Sequence, residues 1–280
     1  MRTRTFGTGN PATSVVGQGT WYLDRGDRKA AIAALQCGVE AGMTHIDTAE
    51  MYGDAEPVIA DAIAGMAREK LFLVSKVLPG NASLRGTITA CERSLKRLNT
   101  EYLDCYLLHW RGSIPFGETV EAFERLITAG KIRSWGVSNF DTDDLGEMLA
   151  VAGKGRIACN QVLYHLQERA IEHAVIPWCE KNGVAVVAYS PFGHNDFPSP
   201  RDKGGGVLQQ VADAHKATTR QVALAFLTRA PSVLAIPKAS SSAHAADNAA
   251  AGDLKLSEAD IAALDAAFPR GPKPRSLPML

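Results

Sequence analysis

The sequence lacks the features that direct a chain to a membrane, a nucleic acid or an oxidising compartment. No apolar run approaches the roughly 20 residues that span a bilayer, and residues 1–10 contain no apolar core of a secretory signal. The 30 Lys and Arg balance the 30 Asp and Glu without a run of one sign, so we expect neither a nucleic acid nor a membrane surface as a partner. The five cysteines form no C-x-x-C pair, which favours reduced thiols and a cytoplasmic location.

The sequence also lacks the G-x-G-x-x-G turn of a doubly wound dinucleotide-binding domain, since Gly17-Gln18-Gly19 has no third glycine. Short apolar runs of strand length occur instead, and we predict strands at Thr44–Asp47, Leu71–Lys76, Leu103–His109, Ile132–Ser138, Ile157–Gln161, Ala185–Tyr189 and Val233–Ile236, with a first strand near Ser14–Gly17. Amphipathic stretches between them predict helices, among them Lys29–Ala41, Leu84–Leu98, Val120–Ala129 and Gln221–Thr228.

The strand-like runs are mostly continuous rather than alternating, as in parallel strands that are covered on both faces. Strand–helix alternation predicts an α/β fold, and eight such units fit a (β/α)8 TIM barrel that forms a single domain over residues 1–280. An open doubly wound sheet is the competing architecture. Residues 1–13 predict an N-terminal β-hairpin at the bottom of the barrel. Phe192–Gly206 predicts a long irregular loop, either a lid or clasp or a disordered insertion.

A polar residue ends nearly every predicted strand. In a barrel the carboxyl ends of the strands form the active-site face, so these side chains should converge on one opening. They are Asp47, Lys76, His109, Ser138 with Asn139, Gln161, and Tyr189 with Ser190.

Four of the polar residues suggest acid–base chemistry. Burying the Lys76 ammonium is costly unless it is paired, and Asp47 at the end of the preceding strand is the expected partner. Tyr52 follows Asp47 by five residues. A free phenol has a pKa near 10, and a neighbouring ammonium lowers it, so Tyr52 could protonate a developing alkoxide. A histidine alone would more often be a hydrogen-bonded core residue, but beside the other three residues His109 is expected to donate to a carbonyl oxygen.

The segments that carry these residues resemble the aldo-keto reductase superfamily. They are Asp47–Tyr52, Val74–Lys76, Leu107–Trp110, Gly136–Phe140, Asn160–Gln161, Ala188–Pro191 and Ile236–Lys238, and the similarity runs from about residue 5 to residue 268. The resemblance implies a (β/α)8 barrel that transfers a hydride from NADPH to an aldehyde or ketone. It implies that Tyr52 is the general acid, that Asp47 and Lys76 tune its pKa, and that His109 orients the carbonyl.

The resemblance also implies which residues bind the cofactor. Ser138, Asn139 and Gln161 would hold the carboxamide, and Tyr189 would stack on the nicotinamide. The remaining cofactor positions are Thr20, Ser190, Pro191, Phe192, Ile236, Lys238, Ser240, His244 and Asn248. Lys238 and Ser240 would contact a 2′-phosphate, so NADPH is expected and NADH is a weaker alternative, because His244 stands where NADP-preferring relatives carry arginine.

Trp21 and Trp110 match pocket-lining positions of the same family and would contact a small carbonyl substrate. Two other functions stay open at this point. One is a non-catalytic regulatory subunit that binds NADPH, against which the four intact catalytic positions argue. The other is a metal-dependent barrel hydrolase with His45 and Asp47 as ligands, although metal sites need three or four convergent ligands and we expect no metal. The oligomeric state is not predicted.

Overall fold

In a computed structural model, which describes residues 1–280, a closed barrel of eight parallel strands confirms the predicted fold. An N-terminal hairpin of β1 (Thr3–Thr5) and β2 (Ala12–Ser14) precedes it. The barrel strands are β3 (Gln18–Gly19), β4 (His45–Asp47), β5 (Phe72–Val77), β6 (Leu103–Leu108), β7 (Ile132–Ser138), β8 (Ile157–Leu163), β9 (Ala185–Tyr189) and β10 (Val233–Ala235). Neighbours in the sheet follow chain order, and parallel bridges from Val16 to Ala235 and from Gly19 to Lys238 join the two ends.

Ten α-helices surround the barrel or follow its strands. They are α1 (Arg28–Glu40), α2 (Ala55–Ala62), α3 (Leu84–Leu98), α4 (Phe116–Thr128), α5 (Thr142–Ala152), α6 (Val175–Asn182), α7 (Lys203–Ala214), α8 (Thr219–Leu227), α9 (Ser242–Ala250) and α10 (Glu258–Ala267). Side chains cap several helix starts, because the first backbone N–H groups lack partners inside the helix. Asp27 accepts from the first turn of α1, and Thr218 with Gln221 forms a capping box on α8.

The N-terminal hairpin closes the amino end of the barrel, as predicted. Phe6 is fully buried and packs against Phe72 and His45 at the starts of two barrel strands. The backbone of Gly7 passes so close to Ala158 that a Cβ on Gly7 would lie 2.1 Å from the Ala158 carbonyl oxygen. With φ at +78°, Gly7 also has a backbone conformation that favours glycine. The barrel is therefore open only at its carboxyl end.

Two sequence predictions differ from the structure. The long loop ends at Asp202 rather than Gly206, because α7 begins at Lys203 and includes the three consecutive glycines. Glycine disfavours helices on average, but Gly205 is buried against Ser199 and has room for no side chain. The first barrel strand lies a few residues later than predicted, since Ser14 belongs to the hairpin and β3 spans Gln18–Gly19.

The apolar core has an inner and an outer part. Eleven buried side chains fill the barrel, among them Phe6, Leu107 and Val187, while a larger cluster lies between the strands and the helices. Each barrel strand is therefore covered on both faces, which is why its sequence is continuously apolar. No helix has both the length and the apolar character to cross a bilayer.

We expect Arg4→Ala to destabilise the fold by about 2 kcal/mol, because hydrogen bonds from a charged group contribute about 1.5–3 kcal/mol. The Arg4 guanidinium donates to the carbonyl oxygens of Ala230 at 2.6 Å and Thr228 at 2.9 Å, and also to Val233. It thus joins the hairpin to the end of α8. Urea denaturation measures the change. Arg156→Ala is the control, since it removes only a partly exposed ion pair with Glu124, worth less than about 1 kcal/mol. Equal losses in both variants would contradict this role of Arg4.

Candidate active site

The polar residues that end the strands line a single cavity at the carboxyl end of the barrel. The cavity has a volume of about 220 Å³. Its lining contains most of the residues predicted for catalysis, cofactor and substrate: Thr20, Trp21, Asp47, Tyr52, His109, Trp110, Ser138, Asn139, Gln161, Tyr189, Ser190, Ile236 and Lys238. Lys76 lies beside the cavity and is completely buried. The predicted convergence is therefore observed.

Lys76 and Asp47 form a buried ion pair. Asp47 ends β4 and Lys76 lies on the neighbouring strand β5, two residues beyond the register partner of Asp47. Lys76 Nζ donates to Asp47 Oδ1 at 2.5 Å and to the Thr48 carbonyl oxygen at 2.8 Å. Burial acts to lower the pKa of Lys76, but Asp47 and Tyr52 outweigh it and the pKa is raised. The lysine is therefore an ammonium at neutral pH.

Tyr52 lies between this ion pair and His109. Its ring centroid is 5.1 Å from Lys76 Nζ, and its hydroxyl is 3.5 Å from His109 Nε2. Burial raises the pKa of Tyr52, while the Lys76 charge acts in the opposite direction. The ammonium acts to lower the pKa of Tyr52, as predicted from the sequence, but desolvation has the larger effect, so the predicted net lowering is wrong. The phenol consequently keeps its proton at neutral pH.

His109 is a neutral imidazole. Burial, followed by the charge of Lys76, lowers its pKa to about 2. Nε2 is directed to the Tyr52 hydroxyl, and the buried Nδ1 has no hydrogen-bond partner. His109 can therefore donate or accept one hydrogen bond in the cavity, but it carries no charge there.

Gln161 connects the catalytic residues to the residues predicted to hold the cofactor. Its Nε2 donates to Asp47 Oδ2 at 2.7 Å, so each Asp47 oxygen has one partner. Gln161 is the register partner of Ser138 across β7 and β8, and both side chains line the cavity. The sequence predicted Gln161 only as a carboxamide contact, and no local pattern indicates its bond to Asp47, because the two residues are 114 positions apart.

Asn139 and Tyr189 form a second polar group along the wall of the cavity. The Tyr189 hydroxyl donates to Asn139 Oδ1 at 2.9 Å, and Asn139 Nδ2 donates to the His109 carbonyl oxygen at 3.2 Å. Asn139 has a φ of +62°, a conformation that asparagine tolerates better than most residues. An amide, a hydroxyl and an aromatic ring side by side suit a flat ring that bears a carboxamide, so these residues fit a nicotinamide.

The residues predicted for the far end of the cofactor lie outside the cavity, apart from Lys238. Lys238 Nζ donates to Ser240 Oγ at 3.1 Å on the approach to α9. His244 is exposed in the first turn of α9, and Asn248 is buried on the same helix. Pro191 is buried, and Phe192 packs edge-on against Phe197 with the ring centroids 5.6 Å apart. Their roles in binding stay predictions.

Three cavity residues were not predicted, namely Gly19, Met51 and Leu280. The Leu280 N–H donates to the Tyr189 hydroxyl at 3.3 Å. Met51 is 46% exposed and lies within the segment Asp47–Tyr52, beside the predicted acid. Its position in that segment could therefore have indicated it as a cavity residue. No sequence pattern indicated Leu280, because an irregular segment brings it to the cavity.

His45, considered above as a metal ligand, is a core residue. Its ring is fully buried between Phe6 and Phe72, with centroids 5.5 and 5.6 Å away, and neither ring nitrogen has a hydrogen-bond partner. The structure contains no group of three or more His, Cys, Asp or Glu side chains that could hold a metal ion. The hydrolase interpretation therefore has no ligand set to support it.

Comparison with known proteins gives consistent matches over nearly the whole chain. A sequence model described as the aldo/keto reductase family matches residues 15–268. A methylglyoxal reductase of Escherichia coli is 49% identical over 94% of this chain and 93% of its own length. A glyoxal reductase of Bacillus subtilis is 34% identical, over 89% of this chain and 87% of its own. A crystal structure of an aldo-keto reductase from Klebsiella pneumoniae in complex with NADPH is 44% identical and covers 100% of both chains, with a TM-score of 0.92.

We expect His45 to make the protein less stable in acid. Burial lowers the pKa of His45 to about 4, whereas an unfolded chain has a histidine pKa near 6.5. Between these values the unfolded state binds a proton that the folded state does not, so stability falls as the pH drops from about 6.5 to 4. His45→Leu should reduce the difference in unfolding free energy between pH 7 and pH 4 by about 3 kcal/mol. Denaturant titrations at both pH values measure it, and an unchanged difference would contradict the assignment.

Proposed function

We propose, since this chain belongs to the aldo/keto reductase family, that it reduces small dicarbonyl compounds and that Tyr52 protonates the carbonyl oxygen. The chain is an NADPH-dependent reductase of aldehydes and ketones. The observation that supports the assignment of residues is the meeting of the Tyr52 hydroxyl, His109 Nε2 and the Lys76–Asp47 pair beside one cavity. We infer likewise that residues 1–280 act as a single domain.

NADPH, when bound, supplies the hydride to the carbonyl carbon. Ser138 and Gln161 are the residues best placed to hold its carboxamide, because Gln161 Oε1 accepts no hydrogen bond from the protein and the Ser138 hydroxyl donates none. Asp47 accepts a hydrogen bond from Gln161 Nε2, which leaves Oε1 available to a bound carboxamide. Tyr189 offers the aromatic surface on which the ring would lie.

Tyr52 then acts as the general acid. Its raised pKa keeps the proton on the phenol until the carbonyl oxygen gains negative charge. After transfer the phenolate faces the Lys76 ammonium, whose charge stabilises it at low local dielectric. Positioned acids of this kind contribute about 10²–10⁴-fold to a rate. The buried ion pair therefore stabilises the phenolate that proton transfer leaves on Tyr52.

His109 orients the carbonyl group. Because its pKa is about 2, the imidazole is neutral at neutral pH. Nδ1 has no acceptor in the protein, so nothing holds the ring hydrogen on that nitrogen. A hydrogen on Nε2 would be directed to the oxygen atom that Tyr52 protonates. A neutral donor also leaves the acid role to Tyr52 alone.

The size of the cavity supports small substrates. Ligand cavities commonly measure about 300–1,000 Å³, whereas this one measures about 220 Å³ and must also take the nicotinamide. Trp21, Trp110 and Met51 give apolar walls and leave little room beyond the carbonyl. The names of the two relatives, a methylglyoxal reductase and a glyoxal reductase, support dicarbonyls of this size.

The experiment follows NADPH absorbance with methylglyoxal, comparing wild type with Tyr52→Phe. We expect kcat of the variant to fall by about 10²–10⁴-fold, because the general acid is lost, while NADPH binding measured by fluorescence titration is unchanged. Tyr106→Phe is the matched control, since it too removes one buried hydroxyl, but one with no hydrogen-bond partner. If wild type reduces a panel of aldehydes but not methylglyoxal, the dicarbonyl assignment is wrong. If Tyr52→Phe keeps wild-type kcat, the acid assignment is wrong.

Lys238 should determine the preference for NADPH over NADH. Lys238→Met should weaken NADPH binding by about 10-fold, the loss expected for one charge-assisted hydrogen bond, and leave NADH binding unchanged. Exposed Lys255 provides the control variant Lys255→Met. Equal effects on the two cofactors, or kcat/KM with NADH at least equal to that with NADPH in wild type, would refute this role.

A further inference from the structure

We propose that Tyr22, Arg25 and His194 determine substrate size by fixing the indole of Trp21 as a wall of the substrate cavity. We call these three residues and Trp21 the Trp21 stack. The inference rests on the proposed function, because it takes the cavity beside Tyr52 as the place where the carbonyl compound binds.

The rings of the stack follow one another with small angles between their planes. Tyr22 lies 4.4 Å from Trp21 between ring centroids at 22°, and the Arg25 guanidinium carbon lies 3.9 Å from the Tyr22 centroid. His194 lies 5.9 Å from Trp21 at 29°. Stacked rings and a cation over a ring face both attract. The indole is therefore held by neighbours from two separate parts of the chain.

The backbone supports the same interpretation. Tyr22 has φ +61° and ψ +19°, in the left-handed region that large side chains rarely adopt. Such a conformation costs free energy and persists only where its surroundings impose it. The Leu23 N–H donates to the Thr20 carbonyl oxygen at 3.0 Å, and the Thr20 hydroxyl donates to the Asp47 carbonyl oxygen at 2.8 Å. This turn connects the Trp21 stack to the strand that carries Asp47.

The position of the stack argues for a role in binding rather than in folding. Arg25 and His194 are exposed, and Tyr22 and Trp21 are only half-buried, so the stack adds little to the core. Trp21 lines the cavity with its ring centroid 6.5 Å from that of Tyr52. A displaced indole would open the space beside the acid, and the stack opposes that displacement.

His194 gives the stack a link to the irregular segment 190–202. Ser190 at the start of that segment lines the cavity, and Arg220 of α8 lies over Phe192 and Phe197 within it. The segment is thus fixed to a helix on one side and contacts the substrate wall on the other. The width of the cavity consequently depends on contacts that lie outside the residues doing the chemistry.

The test uses two dicarbonyls that differ only in a methyl or a phenyl group, methylglyoxal and phenylglyoxal. Tyr22→Asn removes the ring but keeps a residue that tolerates the left-handed backbone. We expect its ratio of kcat/KM for methylglyoxal over phenylglyoxal to fall by about 3- to 10-fold, the range that one aromatic pair contributes. The fall in this ratio should come from the KM for phenylglyoxal. The kcat on methylglyoxal and the NADPH dissociation constant should be unchanged. Tyr22→Phe, which keeps the ring, should behave as wild type.

Tyr102 offers a matched control. It lies between the guanidinium groups of Arg68 and Arg133, 3.9 and 4.4 Å from its centroid, next to the amino end of β6 and away from the cavity. Tyr102→Asn removes a ring that is likewise held by guanidinium contacts and should leave the ratio unchanged. His194→Ala and Arg25→Gln, which alter exposed side chains only, should each lower the ratio by about 2- to 3-fold and report on the stack even if Tyr22→Asn fails to fold.

The proposal is overturned if the ratio stays at the wild-type value in Tyr22→Asn and His194→Ala, or if Tyr102→Asn lowers it equally. Acetaldehyde and benzaldehyde form a second pair with the same methyl-to-phenyl contrast. An enzyme that rejects dicarbonyls but reduces aldehydes would refute the proposed substrate class, and this pair would still measure the effect of the stack.

Discussion

The site depends on the buried ion pair between Lys76 and Asp47. A buried ammonium and carboxylate each lose several kcal/mol of hydration, and removing one partner leaves an uncompensated charge that costs about 3–5 kcal/mol. Here the pair has further partners, since Lys76 also donates to the Thr48 carbonyl oxygen and Asp47 also accepts from Gln161. These contacts keep a positive charge where the fold would otherwise exclude one. That charge opposes the effect of burial on the Tyr52 phenol and adds to the effect of burial on His109.

Gln161 makes the ion pair part of the cofactor site. The Gln161 amide donates through its nitrogen to Asp47, and its oxygen has no partner in the protein, so the orientation of the carboxylate and that of a bound carboxamide should depend on each other. Asn139 has a similar position between Tyr189 and the backbone of His109. The Asn139 N–H also donates to the Gln161 carbonyl oxygen at 2.9 Å, so hydrogen bonds join the ion pair proposed to support proton transfer to the residues proposed for the nicotinamide. Substitutions at either amide should therefore affect both binding and turnover.

Much of the fold and of the candidate site could be predicted from the sequence, because both depend on the pattern of apolar strands. Apolar runs indicated the strands β7 and β9 with the bounds that the structure has, and the polar residues ending the strands converge as the barrel geometry requires. The features that were missed depend on distances between irregular segments. No local pattern brings Leu280 to Tyr189 or His194 to Trp21. The upward shift in the pKa of Tyr52 was missed because burial, its larger cause, is a property of the folded chain.

The neutrality of His109 affects which carbonyl compounds can enter. The positive charge of Lys76 is compensated by Asp47, the imidazole carries none, and Lys238 at the edge of the cavity is assigned to the cofactor. An anionic 2-oxo acid would therefore lose the hydration of its carboxylate without meeting an opposite charge, whereas the corresponding uncharged aldehyde loses far less. We therefore expect the barrel opening to admit uncharged carbonyl compounds more readily than acids, because it offers a carboxylate no unpaired cation and lies beside the Asp47 carboxylate.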